Sequence, residues 1–456
     1  MCLEDNMQPP LTAPEVKGEM LKPDFWVGKT KGAEEQLLSK GEIEKFNLKS
    51  FARMKEMGWQ ESSYDLKEYP ATINKNKLLQ VMSQYSSKER FPQKKCFNSQ
   101  GEEILPEEKQ QILEQANNKG IAEVIEPEFG ILIRKENLRA FPTAVLFTED
   151  PKKTDMDLFQ LTTLSANSPL VILHRSKDEK WVYVQSVIYQ GWLNRESIAL
   201  VEDREEIFDF LNTDIFLIVK ASRVETEPNP FITEVSGIQY QMGDSLPLAS
   251  SEEIPSSIPE GNLQAQSPEG NYVIKVPVRD DNGYLQFKLA LIARNNGINE
   301  GYLAYTRENL VRQAFKLLGE RYGWGGLFNR RDCSRFVMDI YRSVGIIIPR
   351  DAGFQEKGTA GEYLEFSGSI REREQVLDLL EVGAPLYMKG HVMIYLGKIN
   401  DKYYVIHDGA GYGVQDEDGK VKALTVHGVF VMELHQLLKD GSKCYLEALI
   451  TARKFK

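Results

Sequence analysis

The spacing of apolar residues changes twice along this chain, and the changes divide it. Up to residue 126, apolar positions recur at helical intervals inside charged stretches. "GAEEQLLSKGEIEKFNLKSFARM" (32–54) and "PEEKQQILEQANNKG" (106–120) each set an apolar stripe beside a charged face, with Pro- and Asp-rich linkers between. The opening "QPPLTAPEVKGEMLKPDF" is proline-rich and is expected to lie extended along another surface. Few apolar residues remain for a core of its own, so 1–126 reads as a helical arm that must pack against the rest.

From about residue 127 short β-branched and aromatic runs alternate with turn residues, the signature of a small barrel over 127–202. "HRSKDEKWVYVQ" predicts a hairpin turning at "SKDE". A second β-rich block, 203–303, contains "DIFLIVKASRVETEPNPF", "IQYQMGDSLPLAS" and "NYVIKVPVRDDNGYLQFKLALI". Its Asn-Gly predicts a hairpin with a type I′ turn, and the polar 249–271 stretch predicts a long loop. Near residue 304 the pattern turns helical. Thr306 is the expected N-cap of "RENLVRQAFKLLG", and Gly319 its stop. A second helix starts at Cys333, with Phe336, Val337, Ile340 and Val344 as its apolar stripe and Gly345 at its end. "PLYMKGHVMIYLGKINDKYYVIHDGAGYG" then reads as apolar strands joined by a polar turn. The expected class is thus α+β and multidomain, with a helical N-terminal arm, two small β-barrels and a C-terminal α+β domain over 304–456.

Composition narrows the functions. With 67 Asp and Glu against 56 Lys and Arg, the net charge is -11 and spread along the chain, which argues against a nucleic-acid binder. The four cysteines, Cys2, Cys96, Cys333 and Cys444, form no CxxC, so neither a zinc site of ordinary spacing nor a disulfide framework is expected. No apolar run reaches membrane-span length and no signal peptide is visible. Cys2 sits where the lipid-bearing cysteine of a bacterial lipoprotein stands once its leader is gone. A near-terminal cysteine of no function is the alternative.

Cys333 carries the chemical question. Asp332 before it is an N-cap candidate, which places the thiol in the first turn, where unpaired N–H groups and the helix dipole favour an anion. The expectation is a lowered thiol pKa and a nucleophile; the alternative is a small buried core residue. A nucleophile needs a base. His174, His427 and His435 read as structural or exposed. His391 opens one strand after Gly390, which is expected to allow a close backbone approach, and His407 closes the neighbouring strand. Antiparallel pairing puts both at one sheet edge, so that one imidazole takes the thiol proton and the other holds it in the productive tautomer.

The run "DCSRF", then "GIIIPRD", "GHVMIYLG" and "VIHDGAG", resembles the NlpC family of bacterial cell-wall cysteine peptidases over 304–456. The resemblance implies a papain-like core with Cys333 as nucleophile, His391 as base and His407 as orienting residue. The blocks upstream, with "NLRAFPT" and "YQGWL" in the first, resemble the bacterial SH3-like domains of γ-D-glutamyl-L-diamino acid endopeptidases, a subgroup that also has an N-terminal arm. Its substrate is the stem peptide L-Ala-γ-D-Glu-diamino acid with a free N-terminal L-Ala. By that resemblance Asp332 and Ser334 bind the ammonium and the peptide, with capping alone as the alternative for Asp332. Tyr322 and the Cys333 N–H serve the oxyanion, Trp324 walls the pocket, and Arg350 pairs with a substrate carboxylate. Tyr189 closes the N-terminal side of the site, or is plain barrel surface.

Two positions depart from the family. Arg335 stands where glycine is usual, expected at the rim of the cleft, and Ala352 stands where a substrate-contacting serine is common. No metal or organic cofactor is expected, and neither is a nucleic-acid partner or a transmembrane span. The expected state is a monomer in the cell envelope or periplasm, lipid attachment through Cys2 being one route there and the cytoplasm the alternative. Two rival functions remain: an N-acyl amidase or acyltransferase on the same core, and a non-catalytic cell-wall-binding protein.

Overall fold

A computed structural model describes residues 12–57, 66–87, 89–254, 263, 268–295 and 297–456. Cys2, and with it the expected lipid attachment, lies outside the described residues, as do 255–262 and 264–267 of the expected loop. No helix among the described residues is long and apolar enough to cross a membrane. The fold is mixed α and β, and its packing divides the chain into two units. One takes the chain up to Met54 with 303–322 and 330–456; the other takes 55–302 and 323–329.

The N-terminal arm contributes α1 (Pro23–Lys29) and most of α2 (Lys40–Glu56) to the first unit. The expected extended opening is helical from Gly18 on, because Pro23, with its fixed φ and missing N–H, suits the first position of α1. The arm clips onto the C-terminal module. Trp26 is buried against Tyr404 with ring centroids 5.4 Å apart, and Asn47 bonds the Gly345 carbonyl and the Ile347 N–H at 2.9 and 3.0 Å.

In the second unit the short β1 (Ile73–Asn74) and β2 (Val124–Ile125) accompany α3 (Lys75–Met82) and α4 (Pro106–Gln115). Leu78, Val81 and Met82 of α3 bury against Val171, Leu173 and Trp192 of the first barrel, which supplies the core this segment lacks. That barrel is one antiparallel sheet of β3 (Glu128–Leu132), β4 (Glu136–Arg139), β5 (Gln160–Leu164), β6 (Pro169–Arg175), β7 (Trp181–Ser186), β8 (Gln190–Asn194) and β9 (Ile198–Val201). Its order is β5-β4-β8-β7-β6-β3-β9. The β6–β7 hairpin turns at residues 176–179, as expected, the Glu179 N–H donating to the Ser176 carbonyl at 3.0 Å.

The second block contains α5 (Glu205–Leu211) and the strands β10 (Phe216–Val219), β11 (Arg223–Glu225), β12 (Gln239–Gln241), β13 (Ser245–Pro247), β14 (Asn271–Arg279), β15 (Leu285–Ala293) and β16 (Ile298–Glu300). The strands make three small sheets around Leu217, Tyr240, Ile274 and Val276. The "DDNG" hairpin forms, but not through a type I′ turn. Only Gly283 takes positive φ, and Asp280 ties the longer loop by accepting from the N–H groups of Asn282 and Tyr284.

Residues 323–329 complete this unit. Gln160 donates to the Gly325 carbonyl at 2.9 Å, and a Cβ on Gly326 would sit 2.4 Å from Thr163 Oγ1. Gly325 and Gly326 of "RYGWGG" allow that approach.

The C-terminal part of the first unit holds α6 (Arg307–Phe315), α7 (Cys333–Ser343), α8 (Ala352–Gly358), α9 (Ile370–Leu377) and α10 (Tyr445–Ala448). Its sheet comprises β17 (Glu362–Glu365), β18 (Pro385–Met388), β19 (His391–Ile399), β20 (Lys402–Gln415), β21 (Val421–Glu433) and β22 (Leu449–Lys454). All neighbours are antiparallel in the order β17-β22-β18-β19-β20-β21. Thr306 caps α6 by accepting from the Asn309 N–H at 3.0 Å. Asn400 and Asp401, both at positive φ, make the tight β19–β20 turn. Helix α7 packs on β19 and β20.

Candidate active site

Cys333 is the first residue of α7, and Asp332 is its N-cap, accepting from the Arg335 N–H at 2.9 Å. The periodicity predicts one buried stripe, yet ten of the eleven residues of α7 are buried. The polar side is buried too because its charges are paired. Arg335 Nε bonds Asp339 at 2.6 Å, and Arg331 bonds Asp339 at 2.8 Å and Glu320 at 2.7 Å. Arg335 is therefore an internal ion-pair residue at 2% exposure, not a charge on the rim of a cleft.

Arg350 forks onto Asp332, with Nη1–Oδ1 at 2.9 Å and Nη2–Oδ2 at 2.6 Å, and also donates to Ser334 Oγ at 2.8 Å. Ser334 Oγ lies 3.1 Å from Asp332 Oδ1, and all three residues are buried. The guanidinium and the carboxylate expected to grip a substrate carboxylate and ammonium are engaged with each other in this structure. Gln355 of α8 fastens the same turn, donating to the carbonyls of Ser334 and Pro349 at 2.9 and 2.8 Å. Ala352 stands at the start of α8, half-buried. Burial alone would raise the Asp332 carboxyl; Arg350 outweighs it and holds the group below the ordinary carboxylate range.

The thiol departs from expectation. Burial, with the Asp332 charge adding to it, pushes Cys333 up to about 12; a hydrogen bond from the Val392 N–H to the sulfur and the charge of Arg350 offset part of this. The Val392 bond places the sulfur beside the first residues of β19. His391 precedes Val392, and its Nε2 lies 2.8 Å from His407 Nδ1, the rings crossing at 74°.

His407 does not close its strand: it lies in the middle of the long β20. The two imidazoles still meet, because continuing the Ile394–Ile406 register puts them on one face two positions out of step, a diagonal cross-strand pair. His407 is fully buried under Phe430, ring centroids 4.4 Å apart, and its Nε2 has no hydrogen-bond partner among the described residues. Desolvation draws His391 down to about 4, and burial with the neighbouring His391 charge holds His407 well below the usual range. Gly390 is needed for its φ of 73° rather than for closeness, since a Cβ there would meet nothing within 4 Å.

Tyr322 is half-buried, its phenol pushed up by burial and by the nearby thiol and carboxyls. Trp324 and Tyr189 belong to the barrel unit. Trp324 is exposed, and Tyr189 stacks on Tyr85 at 5.0 Å. The remaining histidines have other contacts. His174 Nε2 bonds the Ala116 and Asn117 carbonyls, His435 bridges Glu433 and Glu374, and the His427 carbonyl accepts from the Tyr322 N–H. Sequence reasoning missed Asp408, fully buried after His407 with both carboxyl oxygens unpartnered among the described residues. Its signal was an acid inside an otherwise apolar strand.

Residues 319–430 match the NlpC/P60 family. Residues 147–194 match the SH3 domain of SH3b1 type. An NlpC/P60 endopeptidase from Photobacterium damselae subsp. piscicida shares the fold with a TM-score of 0.70 at 16% identity, covering 93% of this chain and 95% of its own. A γ-D-glutamyl-L-lysine dipeptidyl-peptidase of Bacillus subtilis (strain 168) is 26% identical over 137 residues, 28% of this chain and 46% of its own. The chain thus spans about half the length of the curated relative it matches. All three residues of the candidate triad, Cys333, His391 and His407, fall inside the NlpC/P60 match, which begins just before Glu320.

Proposed function

We propose that this chain is a cysteine peptidase that hydrolyses the γ-D-glutamyl–diamino acid bond of peptidoglycan stem peptides in the cell envelope. The observation that carries the reading is the 2.8 Å His391 Nε2–His407 Nδ1 bond on the strand whose Val392 N–H meets the Cys333 sulfur. That bond commits His391 Nε2 to His407 and leaves Nδ1 to take the thiol proton. With His391 protonated on Nε2, His407 Nδ1 accepts and His407 carries its own proton on Nε2. The neutral thiol and neutral imidazole are the resting pair, and the proton moves as the sulfur attacks.

Cys333 Sγ bonds the γ-carbonyl carbon of D-Glu while His391 Nδ1 takes the proton. His391 then protonates the departing amine of the diamino acid as the C–N bond breaks, leaving a thioester. Water attacks the thioester, losing a proton to His391, and the thiol leaves with that proton. Tyr322 and the Cys333 N–H are the donors assigned to the oxyanion. A free N-terminal L-Ala is the finer part of the proposal. It rests on the resemblance, since Asp332 is engaged by Arg350.

The test incubates the full chain with L-Ala-γ-D-Glu-diaminopimelate and with its N-acylated analogue, products being weighed by mass spectrometry. L-Ala-γ-D-Glu should appear from the free stem, faster than from the acylated one, and not with Cys333→Ala. Release of L-Ala instead would favour an amidase. Binding of stem fragments without turnover by the wild type would favour a wall-binding protein.

A further inference from the structure

Asp408 is the one carboxyl of this neighbourhood that the triad, the cap and the ion pairs leave unused. It lies in β20 immediately after His407, where strand alternation turns it to the face opposite the imidazole. Its relative exposure is 0%, and neither oxygen has a hydrogen-bond partner among the described residues. The groups whose charges reach it come from two other segments. Glu320 lies on the stretch that pairs with β21 through Val429, and Arg331 and Asp332 lead into α7. Cys333 and Tyr322 feel it in return.

The neighbouring charges engage one another. Arg331 is bonded by Glu320 and Asp339, Arg335 by Asp339, and Arg350 by Asp332. Three guanidiniums face three carboxylates, and Asp408 is a fourth acid for which each of these cations is already engaged. An enclosed carboxyl in that position keeps its proton at neutral pH. Burial, then Asp332 and Glu320, push it to about 9, with Arg331 offsetting part.

We propose that Asp408 is a fourth functional residue of the site, a positioning residue that governs how readily Cys333 gives up its proton. While Asp408 is protonated, the thiol faces one carboxylate, Asp332, already countered by Arg350. When Asp408 releases its proton to solvent, a second negative charge arises in an enclosed region where water does not screen it, and departure of the thiol proton is opposed. The consequence for catalysis rests on the peptidase reading; the consequence for thiol reactivity does not.

The test is alkylation of the full chain by iodoacetamide between pH 6 and 10.5, followed by mass spectrometry of the Cys333 peptide, in wild type and in the isosteric, always neutral Asp408→Asn. The ratio of the Cys333 rate at pH 10 to that at pH 7.5 should be about three- to tenfold larger in Asp408→Asn. Superimposable profiles would overturn the proposal. Should the variant not fold, infrared difference spectra of the wild type decide: a protonated carboxyl band that persists to pH 8 and vanishes near 9 is expected, and its absence at pH 8 overturns the assignment. Stem-peptide cleavage should show the same displaced alkaline limb. A wild type without any cleavage would remove the peptidase reading while the alkylation comparison still judges Asp408.

Discussion

Replacing Arg350 by methionine separates a residue that organises the site from one that grips substrate. Methionine keeps the length and apolar body of the side chain and removes the guanidinium. Three bonds go with it: two to Asp332 at 2.9 and 2.6 Å and one to Ser334 at 2.8 Å. Charge-assisted bonds contribute about 1.5–3 kcal/mol each. Breaking a buried pair from one side costs about 3–5 kcal/mol, because the other charge stays behind. A loss of about 4 kcal/mol at pH 7 is therefore expected for this unit, together with a fall in kcat/KM on a stem peptide.

The sign of the pH dependence follows from Asp332. Its folded carboxyl sits below its unfolded range, so the stabilisation is present above the unfolded value and is lost as pH falls through the folded one. The gap between wild type and variant should shrink in acid. Hydrogen exchange of the α7 amides, read by mass spectrometry, reports the opening free energy of this unit alone. A loss under about 1 kcal/mol, with a raised KM only for substrates that carry a carboxylate, would refute the internal clamp and restore a substrate-binding Arg350.

On the proposed mechanism the free-enzyme base is the His391 imidazole, drawn down to about 4, so kcat/KM should stay level from pH 7 to about 5 and fall through 4. An acid limb near 6.5 would mean that a solvated histidine is the base. His407→Phe removes the acceptor that holds His391 and should lower kcat by about 10²–10³-fold, whereas His407→Asn keeps an acceptor and should recover part of it. Equal losses would contradict the tautomer assignment. Gly326→Ala forces a Cβ to 2.4 Å from Thr163 Oγ1 at φ 89° and should destabilise the barrel unit by about 1–3 kcal/mol in calorimetry; an unchanged transition would show that the approach is not needed.

Local chemistry made much of this fold legible. Thr306 and Gly345 mark helix ends that any chain must satisfy, whereas α6 ends at Phe315 with Lys316 as its cap, short of the expected Gly319; the β19–β20 register follows from two apolar runs separated by a short polar turn. His391 and His407 could be brought together because a hairpin converts sequence spacing into cross-strand position. What stayed hidden depends on partners distant in sequence. Arg335 was expected at the rim of a cleft and Arg350 on a substrate carboxylate; pairing with Asp339 and Asp332 is what makes their burial tolerable. Trp324 and Tyr322 are two residues apart yet belong to different units, a division that no local pattern marks. Asp408 was passed over because its neighbour carries the expected chemistry.

The thiol is the place where a sound local rule gave the wrong sign. A helix start favours an anion, but "DCS" supplies one before the sulfur is considered. Asp332 already accepts from the Arg335 N–H, and its charge stands one residue from Cys333. The stabilisation that the first turn offers is thus largely taken by the cap, and burial then works against a second negative charge. On the proposed mechanism activation arises when substrate is bound, with His391 Nδ1 accepting the proton during attack and Arg350 keeping the cap neutralised. On this account Asp332, Arg350 and Asp408 serve one requirement. They limit how many uncompensated negative charges the sulfur meets at the moment it needs to become one.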